Sequence, residues 1–221
     1  MYPGKDPEET AEIMAEFFNN ISEQYLPFDK ENIPSTKQRS LPFLNEANIV
    51  EKIKKSKKTR SMVPGDLPPI LYDLYPDILA APIADIFNMI TRTKEWPPQW
   101  KLEHVTVIPK IPNPQYPSEC RNISCTNYLS KLYESFVLSW SREEVRPSLN
   151  QFGGETGASA SHLLIEVMDD ITSALEDNRA GMILSAIDFS KAFNRLNIRT
   201  ALTRSQREDL RPRFYSYWDR F

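Results

Sequence analysis

The stretch Met182-Ile-Leu-Ser-Ala-Ile-Asp-Phe-Ser-Lys-Ala-Phe-Asn194 ends an apolar run in a carboxylate, Asp188, with an aromatic, Phe193, five residues on. Met182, Ile183, Leu184, Ala186 and Ile187 form a short, partly β-branched run, the pattern of a buried strand. A carboxylate at the end of such a strand can hold a hard divalent cation such as Mg2+ in an otherwise dry place. The alternative is that Asp188 caps a helix after a core strand, with Ser190-Lys-Ala-Phe193 as the turn into that helix. Residue types and spacing leave both roles open.

Two further groups could do chemistry. Lys110 ends one strand-like segment and Arg121 begins another eleven residues later. A hairpin-like pair would bring the two cations together and let them grip a triphosphate; otherwise they are surface cations on a loop. Gln151-Phe-Gly-Gly154 could let backbone approach a ligand closely, or simply reverse the chain.

These residues need elements to position them. The chain has 221 residues, 40% of them hydrophobic and 26% charged, enough for one large domain or two small ones with a packed core. Its 18 prolines against 6 glycines favour helix starts and rigid turns over tight hairpins. The net charge of -3 is not that of a general nucleic-acid binder, but the charge is unevenly placed. Residues 1–50 are acidic, Lys52 to Arg60 holds six basic residues, and the tail beyond Asp188 carries eight basic residues against three acids. Basic surfaces with interleaved aromatics, such as Phe214, Tyr215, Tyr217 and Trp218, are compatible with nucleic acid, as they are with a solvated face. Cys120 and Cys125 lack the further ligands of a zinc site, which fits a reduced protein. No secretory leader and no run of 18 apolar residues is present, so the sequence predicts an intracellular, non-membrane protein and leaves nucleus or cytoplasm open.

Asp6-Pro-Glu-Glu9 signals a helix start, with Ile13, Phe17, Phe18, Ile21 and Tyr25 at helical spacing. Asn45 is placed to cap a second helix with Ile49, Val50 and Ile53 on one face. After the turn Met62–Pro69, the pattern predicts helices over 70–74 and 76–93, the longer with Ile78, Leu79, Pro82, Ile83, Ile86, Phe87 and Ile90 inward. A strand over 105–110 and another over 121–125 follow. Asn127 caps a helix from Tyr128 to about Arg146, and a last helix spans 159–178 with Leu163, Leu164, Val167 and Ile171 inward. The predicted fold class is α+β and helix-rich.

The order of these blocks resembles the reverse transcriptases of non-LTR (LINE-like) retrotransposons, from about Ser61 to Leu196. Ser61-Met-Val-Pro-Gly-Asp-Leu-Pro-Pro69 is similar to the family's opening Gly-Asp block. Asp85-Ile-Phe-Asn88 and Trp96-Pro-Pro-Gln-Trp-Lys101 follow in place. Val107-Ile-Pro-Lys110 and Arg121-Asn-Ile-Ser124 resemble the two fingers motifs. Ser130-Lys-Leu-Tyr-Glu134, Gln151-Phe-Gly153 and Gly157-Ala-Ser159 come next, and Asp188-Phe-Ser-Lys-Ala-Phe193 resembles the first palm motif. The resemblance implies the fingers and first part of the palm of a right-hand polymerase, incomplete, over 61–196. Residues 1–60 would be a helical extension and linker, and 197–221 a basic, aromatic tail without a match.

The resemblance further implies that Asp188 is the first ligand of a two-metal Mg2+ site, helped by the Phe189 carbonyl. Phe193 would be the gate against a 2′-hydroxyl. Lys110 and Arg121 would touch the incoming dNTP, and Gln151 and Gly153 would lie near nucleotide and template. RNA template and DNA primer would be the partners. The chain departs from the pattern at Asn122 in place of Pro, at Glu155 in place of a basic residue, and at Asn194 in place of Asp. The family's paired aspartates have no counterpart in the 33 residues after Asp188, where Glu208-Asp209 lacks an apolar hairpin. The site is therefore expected to be incomplete and the chain inactive alone, with an open palm edge that a protein partner could cover. Three readings follow: a truncated reverse transcriptase with polymerase function by descent, a nucleic-acid-binding module using Lys110 and Arg121, and a protein-interaction module.

Overall fold

The computed structural model describes residues 6–22, 41–56, 62–142, 148, 150–176, 183–189, 192 and 196. The chain divides into two compact units, Met1–Glu144 with Phe193–Phe221, and Val145–Ala192.

The first unit begins with α1 (Pro7–Ser22), whose first turn is fixed by the Asp6 carboxylate accepting from the backbone N–H groups of Glu8 (2.6 Å) and Glu9 (3.0 Å). Helix α2 (Glu46–Lys55) opens on a reciprocal cap: Asn45 Oδ1 accepts from the Asn48 N–H, and Asn48 Oδ1 accepts from the Asn45 N–H. Helices α3 (Pro69–Leu74) and α4 (Pro76–Thr93) each start on a proline, whose missing N–H is no loss in a first turn. Helix α4 stops where Lys94 turns left-handed, φ 59°.

The buried stripe of α4 is Pro76, Ala80, Ile83, Ala84, Phe87 and Ile90. The predicted inner face is corrected at two positions. At ~100° per residue Ile78 falls opposite this stripe and is 73% exposed, and Pro82 is exposed too. The donor that Pro82 lacks would serve the Ile78 carbonyl, and the exposed side is where water can replace it.

The core joins α2 and α4 to α5 (Tyr128–Arg142) and to the 3-10 turn Pro98–Lys101. Ile49 and Ile53 of α2 are buried in it, so this helix of the predicted N-terminal extension shares a core with the residues that follow. Aromatic rings fill its centre. Phe87 lies 5.0 Å from Tyr133 and 6.1 Å from Trp100, and Trp96 meets Trp100 edge-on at 5.7 Å. Several polar groups at its edge are paired across elements. Asn88 donates to the Leu44 carbonyl (2.7 Å) and accepts from its N–H (2.9 Å), and the hydroxyls of Thr91 and Tyr133 meet at 3.0 Å. Lys52 donates to the Ser135 carbonyl and the Ser139 hydroxyl and lies over the Phe136 ring, and burial pulls its ammonium below the usual lysine range.

Strands β1 (His104–Pro109) and β2 (Cys120–Cys125) pair antiparallel as a two-stranded sheet, with Ile108 opposite Arg121. The Lys110 N–H continues the ladder to the Glu119 carbonyl at 2.8 Å. Pro109, opposite Cys120, therefore falls at a non-hydrogen-bonded position, where its missing donor leaves no gap.

In the second unit, the turn at 151–157 takes positive φ at Gly154 (80°) and Gly157 (83°) and leads into α6 (Ala160–Glu176). Two expectations are corrected in this unit. Leu163 and Leu164 are exposed and no residue of α6 is buried, so the predicted inner face is not covered among the described residues. Residues 183–189 form no strand, and Ile183 (92%) and Ile187 (85%) are exposed. A β-prone sequence becomes a strand only when a neighbour takes up its backbone hydrogen bonds, and no described strand does so here. Met182 lies outside the described residues.

Among the described residues the architecture is a helix-rich α+β arrangement with one small sheet. Among the described residues no helix is long and apolar enough to cross a membrane.

Candidate functional site

The β1–β2 hairpin brings two of the sequence-selected residues onto one surface. Side chains alternate along a strand, so Ile108 and Lys110 of one edge share a face with Arg121 and Glu119 of the other. Lys110 and Arg121 are thus diagonal neighbours, a relation that puts Cα atoms ~7–8 Å apart. Both side chains are exposed. The Lys110 ammonium donates to the Ser118 carbonyl at 2.7 Å and keeps two of its three protons for other acceptors. No hydrogen bond or ion pair ties the Arg121 guanidinium to another described residue.

The loop between the strands is held by Glu119. One of its oxygens accepts from the backbone N–H groups of Gln115 (2.7 Å) and Tyr116 (3.1 Å). Pro112, Pro114, Pro117 and the left-handed Asn113 (φ 54°) restrict the rest of the loop. The acid on the cationic face is therefore engaged by loop amides, and both cations are exposed on a stiff base. Such a pair can grip an anion with several oxygens: Arg offers a planar fork, Lys a compact charge.

The other sequence-selected residues lie in the second unit or outside the described residues. Asp188 and Phe189 are exposed in the 183–189 segment. Gln151 folds back, its amide donating to the Gly153 carbonyl at 2.7 Å. A Cβ on Gly153 would meet only the Gln151 amide at 3.7 Å, so the conformational need for glycine falls on Gly154 and Gly157 instead. Phe193 lies outside the described residues. Among the described residues no group of three or more His, Cys, Asp or Glu side chains converges as a metal site. Two-metal transfer needs ions ~3.5–4 Å apart shared by several carboxylates, and Asp188 offers one. The described residues do not fit a pair of Mg2+ ions.

No family model, curated protein or solved structure matches the chain.

Sequence reasoning missed two acids, one in the hairpin's loop and one at the start of the helix that follows it. Glu119 fixes its loop, and Asp66 reaches across 62 positions to accept from the Tyr128 N–H at 2.8 Å. For Glu119 the signal was an acid bounding a Pro-rich loop between two strands. For Asp66 it was only the Pro-Gly turn before it.

Proposed function

We propose that the chain is a reverse-transcriptase-like module, fingers and the start of a palm related to the RNA-directed DNA polymerases of non-LTR retrotransposons. It binds the phosphates of a nucleic acid or a dNTP through Lys110 and Arg121 and does not polymerise alone. One observation carries this reading: the register of β1 and β2 sets both cations on one exposed face. The ordered blocks from Ser61 to Leu196 support the family, and the small sheet embedded in a helix-rich fold is compatible with it.

The polymerase half of the proposal is negative. Asp188 alone supplies too few oxygens to share two divalent ions, so primed RNA with dNTPs and Mg2+ or Mn2+ should show no extension by the purified chain. Primer extension that disappears in Asp188→Ala would overturn this.

A protein-binding role is the second reading, favoured by the exposed Leu164, Ile165 and Met168 on α6. It is distinguished by a partner that raises the thermal midpoint while nucleic acid does not.

A further inference from the structure

We propose that Asp66 is a positioning residue that locks the exit of β2 into α5 and so fixes how the Lys110–Arg121 face is carried by the helical core. The proposal rests on the reading of that face as a phosphate grip, but the lock can be tested without it.

The sequence Val63-Pro-Gly-Asp66 makes a tight turn. The Asp66 N–H donates to the Val63 carbonyl at 3.0 Å, with Pro64 and Gly65 central and Gly65 at φ +84°. This is the pattern of a type II turn, in which proline and glycine each take the position that suits them. It sets Asp66 at the turn's last position. One carboxylate oxygen accepts from the Leu67 N–H (3.1 Å), and the other accepts from the Tyr128 N–H (2.8 Å).

Tyr128 is the first residue of α5 and stands three residues beyond the end of β2. Helix α5 has orphan amides at its start. Asn127 Oδ1 accepts from the N–H groups of Leu129 (2.9 Å) and Ser130 (3.4 Å), and Asp66 takes the remaining first amide, with a negative charge at the positive helix end. Asp66 and Asn127 divide the work: one cap is local, the other comes from a distant turn.

The Tyr128 side chain is held as well. Its ring stacks on Tyr72 at 4.3 Å and 19°, and its hydroxyl meets the Ser56 hydroxyl at 3.3 Å. Those contacts place the side chain, whereas Asp66 holds the Tyr128 backbone N–H at the point where the hairpin's second strand leads into the helix. Among the described residues the hairpin has no third strand to steady it, so its stability depends on its junctions with the core, of which this is one.

The test is residue-resolved amide hydrogen exchange on the full chain, for the wild type, Asp66→Ala and Asp66→Asn. In Asp66→Ala the Tyr128 and Arg121 amides should exchange about tenfold faster, the scale of a lost helix cap. The Ile83 and Phe87 amides of α4 should keep their wild-type rates. Asp66→Asn retains an oxygen to accept from Tyr128 and should restore most of the protection. Inorganic triphosphate should bind Asp66→Ala several-fold more weakly than wild type and recover with Asp66→Asn. Unchanged hairpin exchange in Asp66→Ala, or acceleration shared equally with α4, would overturn the positioning role. Absence of triphosphate binding by the wild type would overturn the phosphate grip alone, and exchange would still decide the lock.

Discussion

Lys110 and Glu119 are a cross-strand pair: the lysine N–H donates to the glutamate carbonyl at 2.8 Å, and the two side chains share a face with Arg121. Glu119 is the acid on the proposed anion-binding face, and its carboxylate is engaged by the amides of Gln115 and Tyr116. Glu119→Gln keeps an oxygen for those amides and removes the negative charge. Inorganic triphosphate is expected to bind this variant roughly two- to fivefold more tightly at low salt, the scale of one exposed charge a few ångströms away. Titration calorimetry checks this, and weaker binding would mean that loop order outweighs charge.

Tyr72 couples the core to pH. Burial, then the nearby Asp66 carboxylate and the Tyr128 hydroxyl, push its hydroxyl from the usual 10.0 up to about 12. A raised pKa means that the folded state holds its proton more tightly. Its contribution to stability is full below pH 10 and is lost as pH rises through 12. Tyr128 shifts the same way, chiefly through burial, while Lys52 is depressed and acts in the opposite sense. Denaturation midpoints should therefore fall between pH 10 and 12 in the wild type and fall less in Tyr72→Phe. A drop of equal size in both proteins would remove Tyr72 from this role.

Phe87 is fully buried between the rings of Trp100, Tyr133 and Phe136. Truncation to Ala leaves a cavity that three rigid rings cannot collapse into, so Phe87→Ala should cost about 3–5 kcal/mol. Ile78→Ala, on the exposed side of the same helix, should cost under ~1 kcal/mol. Urea unfolding of the two variants compares the buried stripe with the outer face directly.

Much of this was legible in the sequence because its signals are local. Asp6, Asn45 and Asn127 mark helix starts by side chains that reach amides two or three residues away. The pairing of 104–109 with 120–125 was visible as two β-prone runs around a Pro-rich loop. Distant relationships were not legible. The Asn88–Leu44 pair and the Asp66–Tyr128 bond join residues 44 and 62 positions apart, and nothing in either residue's neighbourhood names its partner. The run before Asp188 failed for a related reason: strand propensity describes a segment, whereas a strand requires a second one beside it. Ile78 is apolar yet lies opposite the buried stripe, because the phase of the helix and not hydrophobicity alone decides which side a residue faces.

The most direct test of the phosphate grip is the salt dependence of primer–template binding by the wild type and by Lys110→Ala/Arg121→Ala. With both cations on phosphates, the log–log slope should be shallower by about 1.4–1.8 in the double variant, since each contact releases close to one counterion. Affinity at low salt should fall as well, while the unfolding midpoint stays unchanged because both side chains are exposed. An identical slope and affinity in the two proteins would contradict the assignment of Lys110 and Arg121 as the phosphate-binding pair.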